Sequence, residues 1–133
     1  MSRVILGMGC DRGTTLATLE AAIDEALSTI ELERGAIKVL ATIDKKRDEQ
    51  GLLQLAEKYH WQMQFFTAEQ LAQVDVPNPS AVVLKYMGTP AVAEAAAMLA
   101  AKAGVSELLI EKHKYRGSDG KNATVSVVRL SNE

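Results

Sequence analysis

The chain has 133 residues, with 15 Lys and Arg against 17 Asp and Glu, and the resulting net charge of −2 removes any bulk attraction to phosphate backbones or anionic membranes. Neither a nucleic-acid coat nor a membrane-surface protein is expected. Hydrophobic residues at 47% and charged residues at 24% exclude disordered and fibrous classes, and the length suits a single domain, residues 1–133, with a sizeable core.

Arg3 to Met8 is a short apolar run stopped by Gly7 and Gly9, which predicts a buried strand followed by a glycine turn. From Thr15 to Leu32, Leu16, Leu19, Ile23, Leu27 and Ile30 recur every three or four residues, as in an amphipathic helix capped by Thr14 or Thr15. Ile37 to Ile43 reads as a second strand, and Asp44 to Gln50 as a loop entering a helix whose apolar face is Leu52, Leu55, Ala56 and Tyr59. Gln62 to Phe66 is a further strand, and Thr67-Ala68-Glu69-Gln70 is a capping box that opens a short helix. The two prolines of Val76-Pro77-Asn78-Pro79-Ser80 make a connector. Ala81 to Leu84 is then a strand, and Thr89 and Pro90 start an alanine-rich helix that runs to about Ala103. Glu107 to Glu111 reads as a strand, Tyr115 to Asn122 as a glycine-containing loop, and Ala123 to Leu130 as a final alternating strand.

This alternation predicts an α/β fold: one three-layer domain with helices packed on a partly parallel, mixed sheet. Val4 to Lys46 and Val82 to Lys114 share the order strand, glycine turn, helix, strand, though too loosely to indicate duplication. Ligands of such sheets bind at the carboxyl ends of strands, where both glycine turns and the segments after Ile43 and Ile110 are expected to meet.

The residues suited to chemistry fall in those segments. Gly7-Met8-Gly9-Cys10-Asp11-Arg12-Gly13-Thr14 offers backbone amides at a helix start and a guanidinium for an anion, but its glycine spacing fits neither a dinucleotide fingerprint nor a phosphate-binding loop. Cys10 is the single cysteine, which excludes an internal disulfide and favours a reducing compartment. At a helix start it is a possible nucleophile, but nothing in the sequence assigns it a base. With His60 and His113 as the other soft ligands, no metal site is implied. Asp44-Lys45-Lys46-Arg47-Asp48-Glu49 sets both charge signs after a strand, to grip carboxylates or to supply a general base, or simply to be solvated. Glu94, among alanines, needs a partner or a ligand, and Lys112 and Lys114 follow a strand. No apolar run reaches the roughly 18–20 residues of a membrane span and no signal peptide is evident at Met1 to Gly9, so a cytoplasmic protein is expected.

Taken together, the 7–14 segment, Ala41-Thr42-Ile43-Asp44 with Lys46, Glu49, Gly51 and Leu52, Val76 to Ser80, Gly88-Thr89-Pro90 with Val92 to Ala97, Lys112, and Thr124-Val125-Ser126-Val127 resemble the CobE/CbiG C-terminal domain family of cobalamin biosynthesis. Asp11 and Ala91 depart from the basic residue and the serine of that pattern. The resemblance implies a cobalamin pathway protein that binds a carboxylated precorrin or cobalt-precorrin intermediate, without a cofactor and with other pathway enzymes as potential partners. It implies Gly9, Cys10, Asp11, Arg12, Gly13, Thr14, Lys46, Gly88, Thr89, Glu94 and Lys112 as binding residues. The alternative it implies is a hydrolase that opens the δ-lactone of cobalt-precorrin-5A and releases acetaldehyde, with Glu49 or Asp44 activating water and the amides near Gly9 to Gly13 stabilising the oxyanion.

Overall fold

Aliphatic residues on both faces of Val4 to Met8 require cover on both sides, and this strand becomes the centre of the sheet. The computed structural model describes residues 3–74 and 92–130. The expected connector Val76 to Ser80, the strand Ala81 to Leu84 and the turn Gly88-Thr89-Pro90 lie outside the described residues. In chain order the elements are β1 (Val4–Cys10), α1 (Leu16–Ser28), β2 (Ile37–Ile43), α2 (Gln50–Tyr59), β3 (Gln62–Phe66), α3 (Ala68–Ala72), α4 (Val92–Ala101), β4 (Leu108–Arg116) and β5 (Asn122–Arg129). Single 3-10 turns at Arg34–Ala36, Asp44–Lys46 and Val105–Glu107 lead into or out of strands.

The sheet order is β3-β2-β1-β5-β4. β1 runs parallel to β2, and β2 to β3; β5 is antiparallel to both β1 and β4. The carboxyl ends of β1, β2, β3 and β4 therefore share one rim with the start of β5. The period of two divides β1 between two cores. Val4, Leu6 and Met8 pack with Leu19, Ile23 and Leu27 of α1 and with Leu52 and Leu55 of α2. On the other face, Ile5 packs with Val39, Ala41 and Ile43 of β2, Leu71 of α3, and Val92, Ala95, Ala96 and Met98 of α4. The architecture is the expected three-layer α/β domain on a partly parallel, mixed sheet.

Three local expectations are corrected. β1 does not stop at its glycines but runs through Gly7 and Gly9 to Cys10, where it pairs with Ala123. Gly7 serves close approach rather than a turn: a Cβ there would lie 1.8 Å from the carbonyl oxygen of Ala93, so α4 rests on β1 backbone to backbone, whereas a Cβ on Gly9 would meet Val92 only at 4.0 Å. In that loop it is Gly13, with φ of 85°, that makes the reversal. α1 ends at Ser28 rather than Leu32, and Glu31 takes a left-handed conformation with φ of 55°. β4 continues past Glu111 to Arg116, which carries Lys112 and Lys114 into the strand and Ile110 away from its end. Its polar second half is an edge strand, where half-exposed side chains hide the alternation on which a sequence reading depends.

The Gly7 contact makes a direct prediction. Gly7→Ala should lower unfolding stability by about 3 kcal/mol or more, because a backbone carbonyl cannot rotate away as a side chain can. Gly35→Ala, where a Cβ would meet nothing within 4 Å, should stay within about 1 kcal/mol of wild type in the same urea titration. Equal losses for the two variants would contradict the close-approach account.

Candidate functional site

β2 leaves the core at Ile43, makes the 3-10 turn Asp44–Lys46, and enters α2 with Glu49 at the N-cap. The Glu49 carboxylate does not cap its own helix. It crosses instead to the loop after β1, where Oε2 accepts the Gly13 N–H at 3.0 Å. Its Oε1 lies 3.2 Å from Arg12 Nη1 and 3.9 Å from Lys46 Nζ. Glu49 is 3% exposed and Lys46 7%, so this charge cluster is held mostly out of water. The chain paths meet closely as well, since a Cβ on Gly51 would lie 2.4 Å from the Thr14 carbonyl oxygen. Arg12 is the exposed member. Its Nη1 donates to Asp48 Oδ1 at 2.8 Å and its Nη2 to the Lys45 carbonyl at 3.2 Å. That hydrogen bond and the opposite charge hold the Asp48 carboxyl below its ordinary range and raise Arg12. Both groups face solvent, so the pair contributes little to stability and can be exchanged for another carboxylate.

A second carboxylate fixes the start of α1. Asp119, in the turn between β4 and β5, accepts the Thr15 N–H at 3.1 Å and the Thr15 hydroxyl at 3.0 Å through Oδ2, and the Lys121 N–H at 2.9 Å through Oδ1. Thr15 is the N-cap, and its own oxygen accepts the Thr18 N–H. Asp11 adds a parallel tie by accepting both the backbone and side-chain N–H groups of Asn122 at 2.8 and 3.0 Å. Thr14 is buried and donates to the Asp11 carbonyl. One amide expected to receive an external anion, that of Gly13, is thus occupied by the protein's own Glu49, and the neighbouring Thr15 amide is likewise taken by Asp119. Sequence reasoning missed Asp119; the available signal was the Gly117-Ser118-Asp119-Gly120 turn.

The remaining expected residues fall into two places. Gly9 and Cys10 end β1 beside this cluster, and Cys10 belongs to the strand rather than to a helix start. Burial pushes its thiol up, with Lys46 opposing and Glu49 and Asp11 adding to the rise, so the neutral thiol is favoured over a thiolate nucleophile. Asp44 is half-buried at the head of its 3-10 turn. Glu94 and Lys112 form a separate pair beneath α4, with Lys112 Nζ 3.5 Å from Glu94 Oε1. Lys112 lies mid-strand rather than at a strand end, between positions paired with Val127 and Val125. Gly88 and Thr89 lie outside the described residues. The structure therefore brings Arg12, Gly13, Lys46 and Glu49 together and sets Glu94 with Lys112 apart. Among the described residues, no group of three or more His, Cys, Asp and Glu side chains is placed to hold a metal ion, and no helix is long and apolar enough to cross a membrane.

The sequence matches the family described as "Cobalamin synthesis G C-terminus" over residues 4–128. It is 38% identical over 125 residues to a cobalt-precorrin-5A hydrolase of Priestia megaterium, which covers 94% of this chain and 32% of that protein. It is 31% identical to Protein CobE of a Sinorhizobium species, over 74% of this chain and 65% of that one. The chain thus spans about a third of the hydrolase and about two-thirds of the CobE relative. Among solved structures, CobE, a protein of the cobalamin (vitamin B12) biosynthetic pathway, superposes with a TM-score of 0.82 at 34% identity, over 99% of this chain and 93% of the other. A cobalamin biosynthesis protein G homologue from Sulfolobus solfataricus, at 17% identity and a TM-score of 0.69, shares the fold over 98% of this chain and 37% of its own.

The Asp119 tie predicts an acid-sensitive stability. Hydrogen bonds from the Lys121 and Thr15 amides hold its carboxyl down from 3.8 to about 2 in the folded protein. A depressed carboxylate stabilises the fold at pH values above its unfolded pKa and loses that contribution as pH falls through the folded value. Asp119→Asn should therefore have a lower urea midpoint than wild type at pH 7, and the gap should narrow between about pH 4 and pH 2. A gap that stays constant across that interval would assign the effect to something other than ionisation.

Proposed function

From the membership of this chain in the cobalamin synthesis G C-terminal family, and hence in cobalamin biosynthesis, we propose that it binds a carboxylated precorrin or cobalt-precorrin intermediate at the rim where β1 and β2 end. The observation that carries this reading is the arrangement of two cations, Arg12 and Lys46, about one buried carboxylate that is itself fixed to the Gly13 amide. Such an intermediate is a broad apolar ring with carboxylates at its edge. Recognition needs cations held apart at defined positions, and the Glu49 anchor places them before the ligand arrives. The Arg12 guanidinium is planar and can turn a forked pair of donors to a ligand carboxylate in place of the exposed Asp48. Gly9, Cys10, Asp11, Gly13 and Thr14, which lie along this rim, and Gly88 and Thr89 are retained as contacts by the family resemblance alone. The chain acts in the cytoplasm as one domain, alone or beside other enzymes of the pathway.

Binding is favoured over catalysis by the state of the groups an enzyme would use. Glu49 Oε2 is engaged by Gly13 and the side chain is buried, whereas a general base needs an oxygen open to water. The Gly13 and Thr15 amides, which would otherwise stabilise an oxyanion, already donate to carboxylates. The second reading is hydrolysis of the cobalt-precorrin-5A δ-lactone, with Asp44 or Glu49 activating water. It rests on the 38% identity to the Priestia megaterium hydrolase, of which this chain spans 32%.

Titration with hydrogenobyrinic acid, at two salt concentrations, tests the binding reading. A charge-assisted hydrogen bond contributes about 1.5–3 kcal/mol, so Arg12→Ala and Lys46→Ala should each weaken binding by about tenfold or more, the loss for Arg12 shrinking at high salt. Affinities equal to wild type in both variants would remove this rim from the site. Release of acetaldehyde from cobalt-precorrin-5A by the purified chain would select the hydrolase reading instead.

A further inference from the structure

Glu94 is fully buried on the first turn of α4, and among the described residues neither of its carboxylate oxygens receives a hydrogen bond. A buried acid left in that state destabilises a fold, so its presence in an otherwise apolar and alanine-rich helix calls for a role beyond packing. Among the described residues the charged groups acting on it are Lys112 and Glu111, both of β4, while the core residues that pack with α4 from β1, β2, β3, β5 and α3 are apolar, Ile5, Val39, Phe66, Val128 and Leu71 among them. The Lys112 ammonium stands 3.5 Å from Glu94 Oε1, and its side chain is 19% exposed where that of Glu94 is 0%. The lysine is thus the member of the pair that solvent and a ligand can reach, with the acid behind it.

We propose that Glu94 is a positioning residue that holds Lys112 for one peripheral carboxylate of the ligand and takes up a proton from solvent when that carboxylate arrives. This rests on the corrinoid reading above and gives it a second subsite and a pH dependence. The ligand carboxylate and Glu94, with the Glu111 charge nearby, then face one ammonium in a low-dielectric setting, where all cannot remain ionised at little cost. The buried one accepts the proton, because burial already pushes the Glu94 carboxyl up and leaves the Lys112 charge as its principal counterweight. One proton enters for each ligand bound. Affinity is then highest where Glu94 is protonated and falls as pH rises, by up to about tenfold per unit.

The test is a titration of wild type, Glu94→Gln, Lys112→Met and Arg12→Ala with hydrogenobyrinic acid from pH 6 to 9 at constant ionic strength, with thermal unfolding of each protein alone. Ordinary ligand carboxylates stay ionised throughout that range. Wild-type affinity should fall with pH. Glu94→Gln, which keeps the shape and stays neutral, should flatten the profile, bind more tightly than wild type at pH 9, and unfold at the same or a higher temperature. Lys112→Met should bind about tenfold more weakly at pH 6 and also lose the slope. A Glu94→Gln profile parallel to wild type, or a lower unfolding temperature for that variant, would overturn the inference while leaving the rim reading to Arg12→Ala. Absence of wild-type binding at every pH would overturn both.

Discussion

The rim depends on one carboxylate. Glu49 sits where the amino end of α2 favours a negative charge, yet its hydrogen bond goes across the loop to Gly13, so a single group joins the exits of β1 and β2. An acid held this far out of water must be matched by opposite charge, and Arg12 and Lys46 supply it at 3.2 and 3.9 Å. The positions of both cations are in this sense consequences of burying Glu49. The close approach of Gly51 to the Thr14 carbonyl and the left-handed turn at Gly13 are the backbone conditions that make the contact possible.

The other side of the sheet follows from an absence of side chain. With no Cβ on Gly7, α4 descends until the Ala93 carbonyl touches β1, and the small residues Ala95, Ala96 and Ala97 fill the contact with little volume. A helix set this close shields everything beneath it, Glu94 included. The two sides of the sheet thereby acquire different character: on the α1 and α2 side an ion-paired cluster exposed at Arg12, and on the α4 side a buried acid paired with Lys112. Asp119 and Asp11 tie the β4–β5 turn to the start of α1 and the loop before it, so the rim is closed by hydrogen bonds from three separate chain segments.

Much of this was legible in the sequence where periodicity is strong. The apolar run of β2, the repeat of Leu19, Ile23 and Leu27 along α1, and the Thr67 to Gln70 capping box all appear as read, and the box closes with Thr67 and Gln70 bonding reciprocally. Arg12 and Lys46 were expected to meet at one rim with Lys112, and the first two do, but their pairing to a buried Glu49 was not foreseen, because it depends on the register in which β1 and β2 pair. Gly7 was misread since a glycine that permits helix contact and a glycine that turns the chain look alike in sequence, and Gly9 since a strand can run through a glycine without turning. Lys112 was placed beyond its strand because the polar half of an edge strand carries no burial signal. The turn that carries Asp119 was legible, but not its partner, since Thr15 is 104 residues away.

The central claim, that the rim formed by Arg12, Lys46 and Glu49 receives a polycarboxylated macrocycle, is tested most directly by a crystal structure of this protein grown with hydrogenobyrinic acid. The account predicts ligand carboxylates at hydrogen-bonding distance, about 3 Å, from the Arg12 guanidinium and the Lys46 ammonium, with Asp48 displaced and the Glu49 to Gly13 bond intact. At the opposite end of the sheet lies an open cavity of about 290 Å³ lined by Arg34, Ile37, Lys38, Tyr59, His60 and Trp61. A macrocycle seated there, with the rim unchanged, would contradict the claim.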